Sequence, residues 1–486
     1  MTPVQQSESL SETKRRLLES LRKGGPGREF EKPAAIVPRP KDQPVPLSSS
    51  QELILRREQN APDDSLPNNE CITLKAPKQL DPGVLQRAFA EIIRRHEILR
   101  TTYSLVDGEL IQTVHAASAT FPLRIVDLGL LSATDRETAL QELYISGVRQ
   151  RFDFERGPLL HAVLVSLLPG DQRIILFAHL SIIDGVSVYR ILPAELTAIY
   201  NAFASGQSSP LPEPRLQYGD YADWQRQSLH SREIEKQLAY WREQLAGGIP
   251  PLQWPADLPA QPMRTYRGVV RSFDLRPSVK HALKDFSVGE SVTLFTTLTA
   301  SLSALLYCYT RQDRFLLGTP ALGARKRTEL AELVGHFLNP VPLPIDLRGD
   351  PSFHELLLRV QHAVGGALAH DDVPLDVLIK ELGLQATSAD SVFKVAISLQ
   401  PATAETEWEV TSMDADSGGT LWGLYLAFIE TKDGITGRVQ YSTEIFSEST
   451  IARTLEGLQA VMESVTRDPV QAVSALSLQL RSLGLS

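Results

Sequence analysis

Cysteine and long apolar runs are both scarce in this chain. Its 486 residues include two cysteines, Cys71 and Cys308, which stand far apart and form no CxxC pair. A disulfide framework is therefore excluded, and we expect a reducing, cytoplasmic location. The apolar run at 174–178 is among the longest, and it falls far short of the roughly 18 residues that a membrane span requires. We therefore expect no association with a membrane.

An excess of positive charge is also absent. Lys and Arg total 49 against 58 Asp and Glu, which gives a net charge of -9. A generally basic nucleic-acid-binding protein is excluded, because phosphate contacts require clustered Lys and Arg. The length of 486 residues exceeds one ordinary domain, since a domain spans roughly 150 residues. The hydrophobic fraction of 42% is enough to fill the cores of about three domains, or of two large ones.

Several motifs that mark well-known kinds of site are missing. The sequence has no P-loop and no GxGxxG after a predicted strand, so nucleotide and dinucleotide chemistry is not supported. It has no HExxH, no Cys/His cluster and no GxSxG of a serine hydrolase. We therefore expect neither a metal ion nor a bound cofactor.

Residues 1–45 differ from the rest of the chain. Ser11 is suited to cap a short helix whose Leu17, Leu18 and Leu21 form one apolar edge, and a proline-rich segment follows. This pattern predicts an N-terminal helix and linker. The helix is either a frayed tail or an element that docks a partner protein or joins two domains, because one apolar edge needs some surface to cover it.

Helical and extended patterns alternate through the rest of the chain. Helices are predicted at 80–96, 188–200, 218–245, 294–309, 353–369 and 451–465, and strands at 159–168, 173–179, 315–318, 392–399, 421–430 and 437–442. We therefore predict an α/β fold with an N-terminal lobe at 46–215, an inter-lobe connection at 216–265 and a C-terminal lobe at 266–486.

One segment combines residues that build a site. The predicted strand at 173–179 ends in His179, and Asp184 and Gly185 follow shortly before a helix. Asp184 can hold backbone groups or an arginine and so fix the loop, while His179 can face a cavity at the end of the sheet. A structural histidine in a loop is equally compatible with this pattern.

This segment belongs to an ordered set of blocks that resembles the condensation domains of nonribosomal peptide synthetases from about residue 40 to about residue 480. The sequence HLSIIDG at 179–185 is similar to the family signature HHxxxDG. RHEILRTTY at 95–103 resembles RHExLRTxF, and YGDYADW at 218–224 resembles YxDYAxW. GHFLN at 335–339 resembles GxFVN, and HDDVPLD at 370–376 resembles HQDxPFE.

The resemblance implies a fold, a reaction and its partners. It implies two chloramphenicol-acetyltransferase-like lobes in a V-shaped pseudo-dimer with a central tunnel. Donor and acceptor carrier proteins of other synthetase modules would deliver an acyl thioester and an amine on phosphopantetheine, so that the chain itself binds no cofactor. A monomer is expected.

The resemblance also assigns roles to residues. The second His of the signature positions or deprotonates the amine. The aspartate, Asp184, is held to pair with an arginine beneath the active site, and Gly185 permits the turn. The residues expected along the substrate tunnel are Ser181, Asn339 and Trp422, and Arg100 is expected to be structural.

The signature departs from the family at its second histidine, where this chain has Leu180. Leucine cannot accept a proton, and loss of one positioned base costs about 10²- to 10⁴-fold in rate. His179 occupies the first position, whose family role is mostly structural. Three functions therefore remain open. The first is a noncanonical condensation that forms an amide or, as a lesser alternative, an ester. The second is a catalytically silent platform that recruits carrier proteins or tailoring enzymes. The third is acyl transfer from soluble acyl-coenzyme A, which Leu180 disfavours most.

Overall fold

The computed structural model describes residues 35–41, 44–60, 68–254, 257, 267–382, 392–400, 406–412, 419–431 and 434–485. The helix predicted near the N-terminus lies outside these residues. By its internal contacts the chain divides into residues 1–36 and 37–486. All of the described helices and strands belong to the second of these units.

Four strands of the first half and one strand of the second half form a mixed sheet. They are β1 (Asn69–Lys75), β4 (Arg124–Asp127), β5 (Leu160–Leu168), β6 (Asp171–His179) and β11 (Glu409–Ser412), in the order β11-β1-β6-β5-β4. β4 and β5 run parallel, and the other pairs run antiparallel. The strands predicted at 159–168 and 173–179 are confirmed as β5 and β6, which pair as an antiparallel hairpin. A second hairpin, β2 (Thr101–Val106) with β3 (Glu109–Val114), pairs separately.

The helices of the first half are α1 (Ser49–Asn60), α2 (Pro82–Arg95), α3 (Ala133–Arg149) and α4 (Leu192–Ala204). The Asp81 side chain caps α2 by accepting from the Val84 N–H, which agrees with the predicted start. α3 packs its apolar side chains with Phe177 of β6. A π-helical turn at Ser187–Ile191 precedes α4, so the predicted helix begins in an irregular turn.

A six-stranded sheet organises the second half. Its strands are β7 (Gly268–Asp274), β8 (Arg314–Ala321), β9 (Asn339–Asp346), β10 (Val395–Gln400), β12 (Leu424–Thr431) and β13 (Gly434–Ser442), in the order β7-β13-β12-β10-β8-β9. β10 lies between β8 and β12 and runs parallel to both. The largest buried apolar cluster packs around this sheet and includes Leu298, Phe315, Phe353 and Phe428.

The helices that follow α4 are α5 (Tyr218–Ser228), α6 (Arg232–Gln244), α7 (Pro277–Gly289), α8 (Leu294–Thr310), α9 (Phe353–Ala369), α10 (Leu375–Glu381), α11 (Glu448–Arg467) and α12 (Val473–Ser482). The single helix predicted at 218–245 is wrong in one respect, because it breaks into α5 and α6. Ser231 causes the break, since its side chain accepts from the Ile234 N–H and caps a new helix. Among the described helices, none alone has the length and apolar composition for a membrane crossing. α7 and α8 meet that criterion only as a pair bent by 112°.

Candidate active site

The signature segment, residues 179–185, leaves the first sheet at the end of β6. β6 pairs with β1 as far as His179 opposite Asn69, and the Leu180 N–H donates to the Asn68 carbonyl at 2.8 Å. The chain then turns, with the Ile182 N–H donating to the His179 carbonyl at 3.1 Å, and enters the π-helical turn at 187. Regular structure therefore holds both ends of the segment.

Both ring nitrogens of His179 are occupied inside the protein. Nδ1 accepts from the Ser181 N–H at 3.2 Å and lies 2.8 Å from the Ser181 hydroxyl. Nε2 lies 2.9 Å from Oε1 of Glu58, and the ring packs edge-on against Phe154 at 4.8 Å between ring centroids. His179 and Ser181 are fully buried. Because no lone pair of the ring faces solvent, His179 is not placed to take a proton from a substrate.

Glu58 is held as the carboxylate by its surroundings. Burial acts to raise the pKa of Glu58, but the electrostatic attraction of His179 and hydrogen bonds from His179 and Asn68 outweigh it and lower that pKa to about 2. The Asn68 backbone and side-chain N–H groups donate to Glu58 Oε1 at 2.8 and 2.6 Å. Glu58 therefore fixes the His179 ring from the end of α1.

Leu180 occupies the place of the usual base and stays partly exposed. Leu180 follows the last residue of β6 and its N–H continues the pairing with the chain before β1, so the alternation of the strand places it on the face opposite His179. Its side chain offers neither a donor nor an acceptor. Gly185, near the other end of the segment, is also partly exposed. The segment thus presents an accessible but apolar surface at these two positions.

Asp184 forms a buried ion pair with Arg325, which lies between β8 and β9. Arg325 Nε and Nη2 each lie 2.9 Å from a carboxylate oxygen of Asp184, and both side chains are almost completely buried. The Ser187 N–H and hydroxyl also donate to Asp184, at 2.8 and 2.9 Å, and the Phe337 N–H donates at 3.2 Å. Such dense hydrogen bonding offsets the desolvation of a buried pair. Asp184 therefore joins the signature segment to the second half.

The other predicted site residues lie in supporting positions. Asn339 donates from its amide to the carbonyls of Asp371 and Val373, at 2.9 and 2.7 Å, and accepts from the Leu375 N–H at 3.1 Å. It therefore ties the chain before α10 to the start of β9. Neither end of the Asn339 amide is directed to a substrate in this arrangement.

Contacts with residues outside the signature segment hold Trp422 and Arg100. Trp422 is buried and packs against Tyr425, with 4.8 Å between ring centroids and the rings tilted by 57°. Arg100 donates to the His115 carbonyl and lies 3.8 Å from a carboxylate oxygen of Glu97. The arginine that pairs with Asp184 is Arg325, which the sequence analysis did not identify. Asp184 and Arg325 are separated by 141 positions, so no local pattern links them.

The described residues contain no group of three or more His, Cys, Asp or Glu side chains that could hold a metal ion. The arrangement can align a substrate along the partly exposed face of Leu180 and Gly185. Leu180 itself supplies no base on that face.

Comparison with known proteins gives the same family throughout. The family model described as "Condensation domain" matches residues 41–481. One protein of the linear gramicidin synthase of Brevibacillus parabrevis is 36% identical over 443 residues, which are 90% of this chain and 9% of that protein. This chain therefore spans less than a tenth of the length of that relative.

Two solved structures agree in fold. The X-domain from teicoplanin biosynthesis has a TM-score of 0.80 and 25% identity, and the match covers 91% of this chain and 99% of that one. The complex of the X-domain and OxyB has a TM-score of 0.79 and 25% identity over 93% of this chain and 99% of that one. The mixed α/β fold is thus that of condensation domains, and its two sheets are consistent with two chloramphenicol-acetyltransferase-like lobes. The chain belongs to the condensation-domain family of nonribosomal peptide synthetases.

Proposed function

We propose that this chain is a condensation domain that joins a carrier-bound acyl thioester to an amine without the usual histidine base. The observation that carries the proposal is the intact support of the signature segment. Asp184 accepts hydrogen bonds from Arg325, Ser187 and Phe337, while Leu180 and Gly185 stay partly exposed. The backbone of the site is kept, although one side chain has changed.

The reaction tolerates such a change better than most acyl transfers. The amine nitrogen attacks the thioester carbonyl, the C–N bond forms, the C–S bond breaks, and the phosphopantetheine thiol leaves with the proton that the amine loses. A thioester is already activated and a free amine needs little deprotonation, so alignment of the two reactants supplies much of the acceleration. We expect an amide product rather than an ester, because a hydroxyl depends more strongly on a base.

The second candidate is a platform that recruits carrier proteins or tailoring enzymes. Two observations favour it. Leu180 cannot take a proton, and His179 is fully buried with both ring nitrogens bound. The chain is also 25% identical to an X-domain whose complex with OxyB has been solved. A platform of this kind would bind its partner without forming a product.

The experiment is a direct measurement of amide formation. A donor carrier protein is loaded with an acyl-phosphopantetheine and followed by intact-protein mass spectrometry with amine-loaded acceptor carriers and free amines. We expect amide formation above the background rate in the wild type and a faster reaction in Leu180→His. Leu168→His, on an exposed position of β5, is the matched control and leaves the rate unchanged.

Two results would favour the other functions. Binding of carrier or tailoring proteins without amide formation, in the wild type and in Leu180→His alike, would replace the proposal with a platform. Amide formation from acyl-coenzyme A at the same rate in the absence of a loaded carrier would instead indicate a soluble acyl donor.

A further inference from the structure

Glu70 lies on the same face of the first sheet as Leu180. Glu70 pairs with Ala178 across β1 and β6, and Leu180 continues that pairing by donating to the Asn68 carbonyl. Residues two apart in a strand share a face, so Ala178, Leu180 and Glu70 point to one side and His179 to the other. Glu70 is therefore a diagonal neighbour of Leu180, at about 7–8 Å between backbone positions and less between side chains.

Side chains from both halves of the chain surround Glu70. Arg438 of β13 interacts electrostatically with Glu70 and hydrogen-bonds Tyr189. Tyr425 of β12 also interacts electrostatically with Glu70 and Arg438. Its hydroxyl lies 2.7 Å from the Ser398 hydroxyl. Glu70, Arg438 and Tyr425 are partly exposed, as Leu180 is. The cluster is thus polar and accessible.

The cluster also borders the signature segment at its other end. A side chain added at Gly185 would contact the Tyr189 ring at 3.8 Å, an ordinary van der Waals distance. Tyr189 therefore lies between Gly185 and Arg438. The groups that interact electrostatically with Glu70 are Arg438, Tyr189 and Tyr425 and, on the opposite face of β1, Cys71.

Burial changes the pKa values of these groups in a direction that suits acid–base chemistry. Burial raises the pKa of Glu70, and the charge of Arg438 opposes that rise only in part. Burial also raises the pKa of Tyr189 to about 12 and raises that of Tyr425, so both phenols stay protonated as donors. A carboxylate with a raised pKa is a stronger base than an ordinary one.

We propose that Glu70, in place of the missing histidine, accepts the proton of the attacking amine on the face shared with Leu180. This inference rests on the proposed condensation activity. As the C–N bond forms, the amine proton passes to the Glu70 carboxylate. As the C–S bond breaks, the departing phosphopantetheine thiolate takes that proton and becomes the thiol. Atoms and charges balance without any further reactant.

The test follows single-turnover amide formation between loaded carriers from pH 5 to 9. We expect Glu70→Gln to lower the rate by about 10²- to 10⁴-fold and to abolish the rise in rate with pH through the Glu70 ionisation. Glu70→Asp should keep that pH dependence with a smaller loss. Glu109→Gln, on the exposed edge of β3, is the matched control and leaves both rate and profile unchanged.

A structural role for Glu70 gives different results. If Glu70 only pairs with Arg438, Glu70→Gln lowers the stability of the protein but leaves the pH profile of the remaining activity in place. The double variant Glu70→Gln with Leu180→His separates the two roles further. If Glu70 is the base, the new histidine raises the rate by a larger factor in the Glu70→Gln background than in the wild type; if Glu70 is only structural, the two factors are equal.

The outcomes also separate this inference from the proposed function. Wild-type turnover with Glu70→Gln within about twofold of the wild-type rate overturns the role of Glu70 and leaves the condensation activity standing. Absence of turnover in the wild type and in Leu180→His overturns the condensation activity, and the role of Glu70 with it.

Discussion

At the scale of the residue, the buried imidazole of His179 connects the end of β6 to α1. Its Nε2 lies 2.9 Å from Glu58 of α1, and its Nδ1 accepts from the Ser181 N–H. Exchange of Ser181 for a residue without a hydroxyl would keep the backbone contact and lose only the side-chain one. These contacts explain why this position holds a histidine, although its ring lies on the face opposite Leu180.

The contact between Glu58 and His179 predicts that the stability of the protein depends on pH. The folded protein lowers the pKa of Glu58 to about 2, so its contribution is fully present above the unfolded pKa near 4.5 and is lost as pH falls from about 5 to about 2. Glu58→Gln keeps an acceptor for His179 but does not titrate. We expect the advantage of the wild type over Glu58→Gln in free energy of unfolding to shrink by about 3 kcal/mol across this range.

Urea denaturation at intervals between pH 6 and 2 measures this difference. Glu332→Gln, on the exposed surface, is the control and should follow the wild type at every pH. A wild-type advantage that stays constant as the pH falls would contradict the assigned role of Glu58.

The sequence indicates only part of this residue-scale arrangement. The spacing of His179, Asp184 and Gly185 identifies the segment, because its residues are close in the chain. Glu58 lies 121 positions from His179 and Arg325 lies 141 positions from Asp184. Contacts between distant positions follow from the packing of whole elements, so a single sequence carries no local signal for them.

At the scale of the element, α3 approaches the first sheet closely at Gly147. A Cβ atom at Gly147 would lie 2.3 Å from Cζ of Phe177, whose ring is buried in β6. Alanine in a helix is ordinarily more stable than glycine by about 0.5–1 kcal/mol. Overpacking of a core costs about 1–3 kcal/mol and outweighs that gain here.

We therefore predict opposite effects for two glycine-to-alanine variants. Gly147→Ala should lower the free energy of unfolding by about 1 kcal/mol or more. Gly365→Ala, in the interior of α9 where a Cβ meets nothing within 4 Å, should raise it by about 0.5–1 kcal/mol. Chemical denaturation of both variants measures the difference. Equal stabilisation by the two variants would mean that α3 moves away from Phe177 at little cost.

Strongly periodic helices could be predicted from the sequence, and short strands could not. α9 spans Phe353–Ala369, as predicted, because its apolar residues share one face and Ser352 forms a capping box with Glu355. The four-residue β11 was not predicted, since it gains its place by pairing with β1 of the other half. The helix α3 was also missed, although Ser132 caps it and its apolar spacing is visible.

At the scale of the whole molecule, residues of each half of the sequence pair with residues of the other half. β11 of the second half pairs with β1 at four positions, from Ile72 opposite Ser412 to Lys75 opposite Glu409. The Asp184–Arg325 pair joins the signature segment to the second half. α6 of the first 254 residues contributes Trp241, whose indole N–H donates to the His370 carbonyl at 2.9 Å. The two halves therefore share backbone pairing, a buried ion pair and core packing.

These connections predict that the halves stay together after the chain is cut. A protease recognition sequence placed within 258–266, followed by cleavage, yields one fragment with β1 to β6 and another with β7 to β13. We expect the fragments to elute together in size-exclusion chromatography in native buffer and to separate only in denaturing urea.

The same cleavage in Asp184→Asn leaves Arg325 buried without its partner charge, which costs about 3–5 kcal/mol. Dissociation of the cut variant should therefore occur at about 10²- to 10⁴-fold higher protein concentration than in the wild type. Asp285→Asn, on the exposed surface of α7, should leave it unchanged. Separation of the wild-type fragments in native buffer would contradict the structural role of β11 and of the buried pair, since both connections survive the cut.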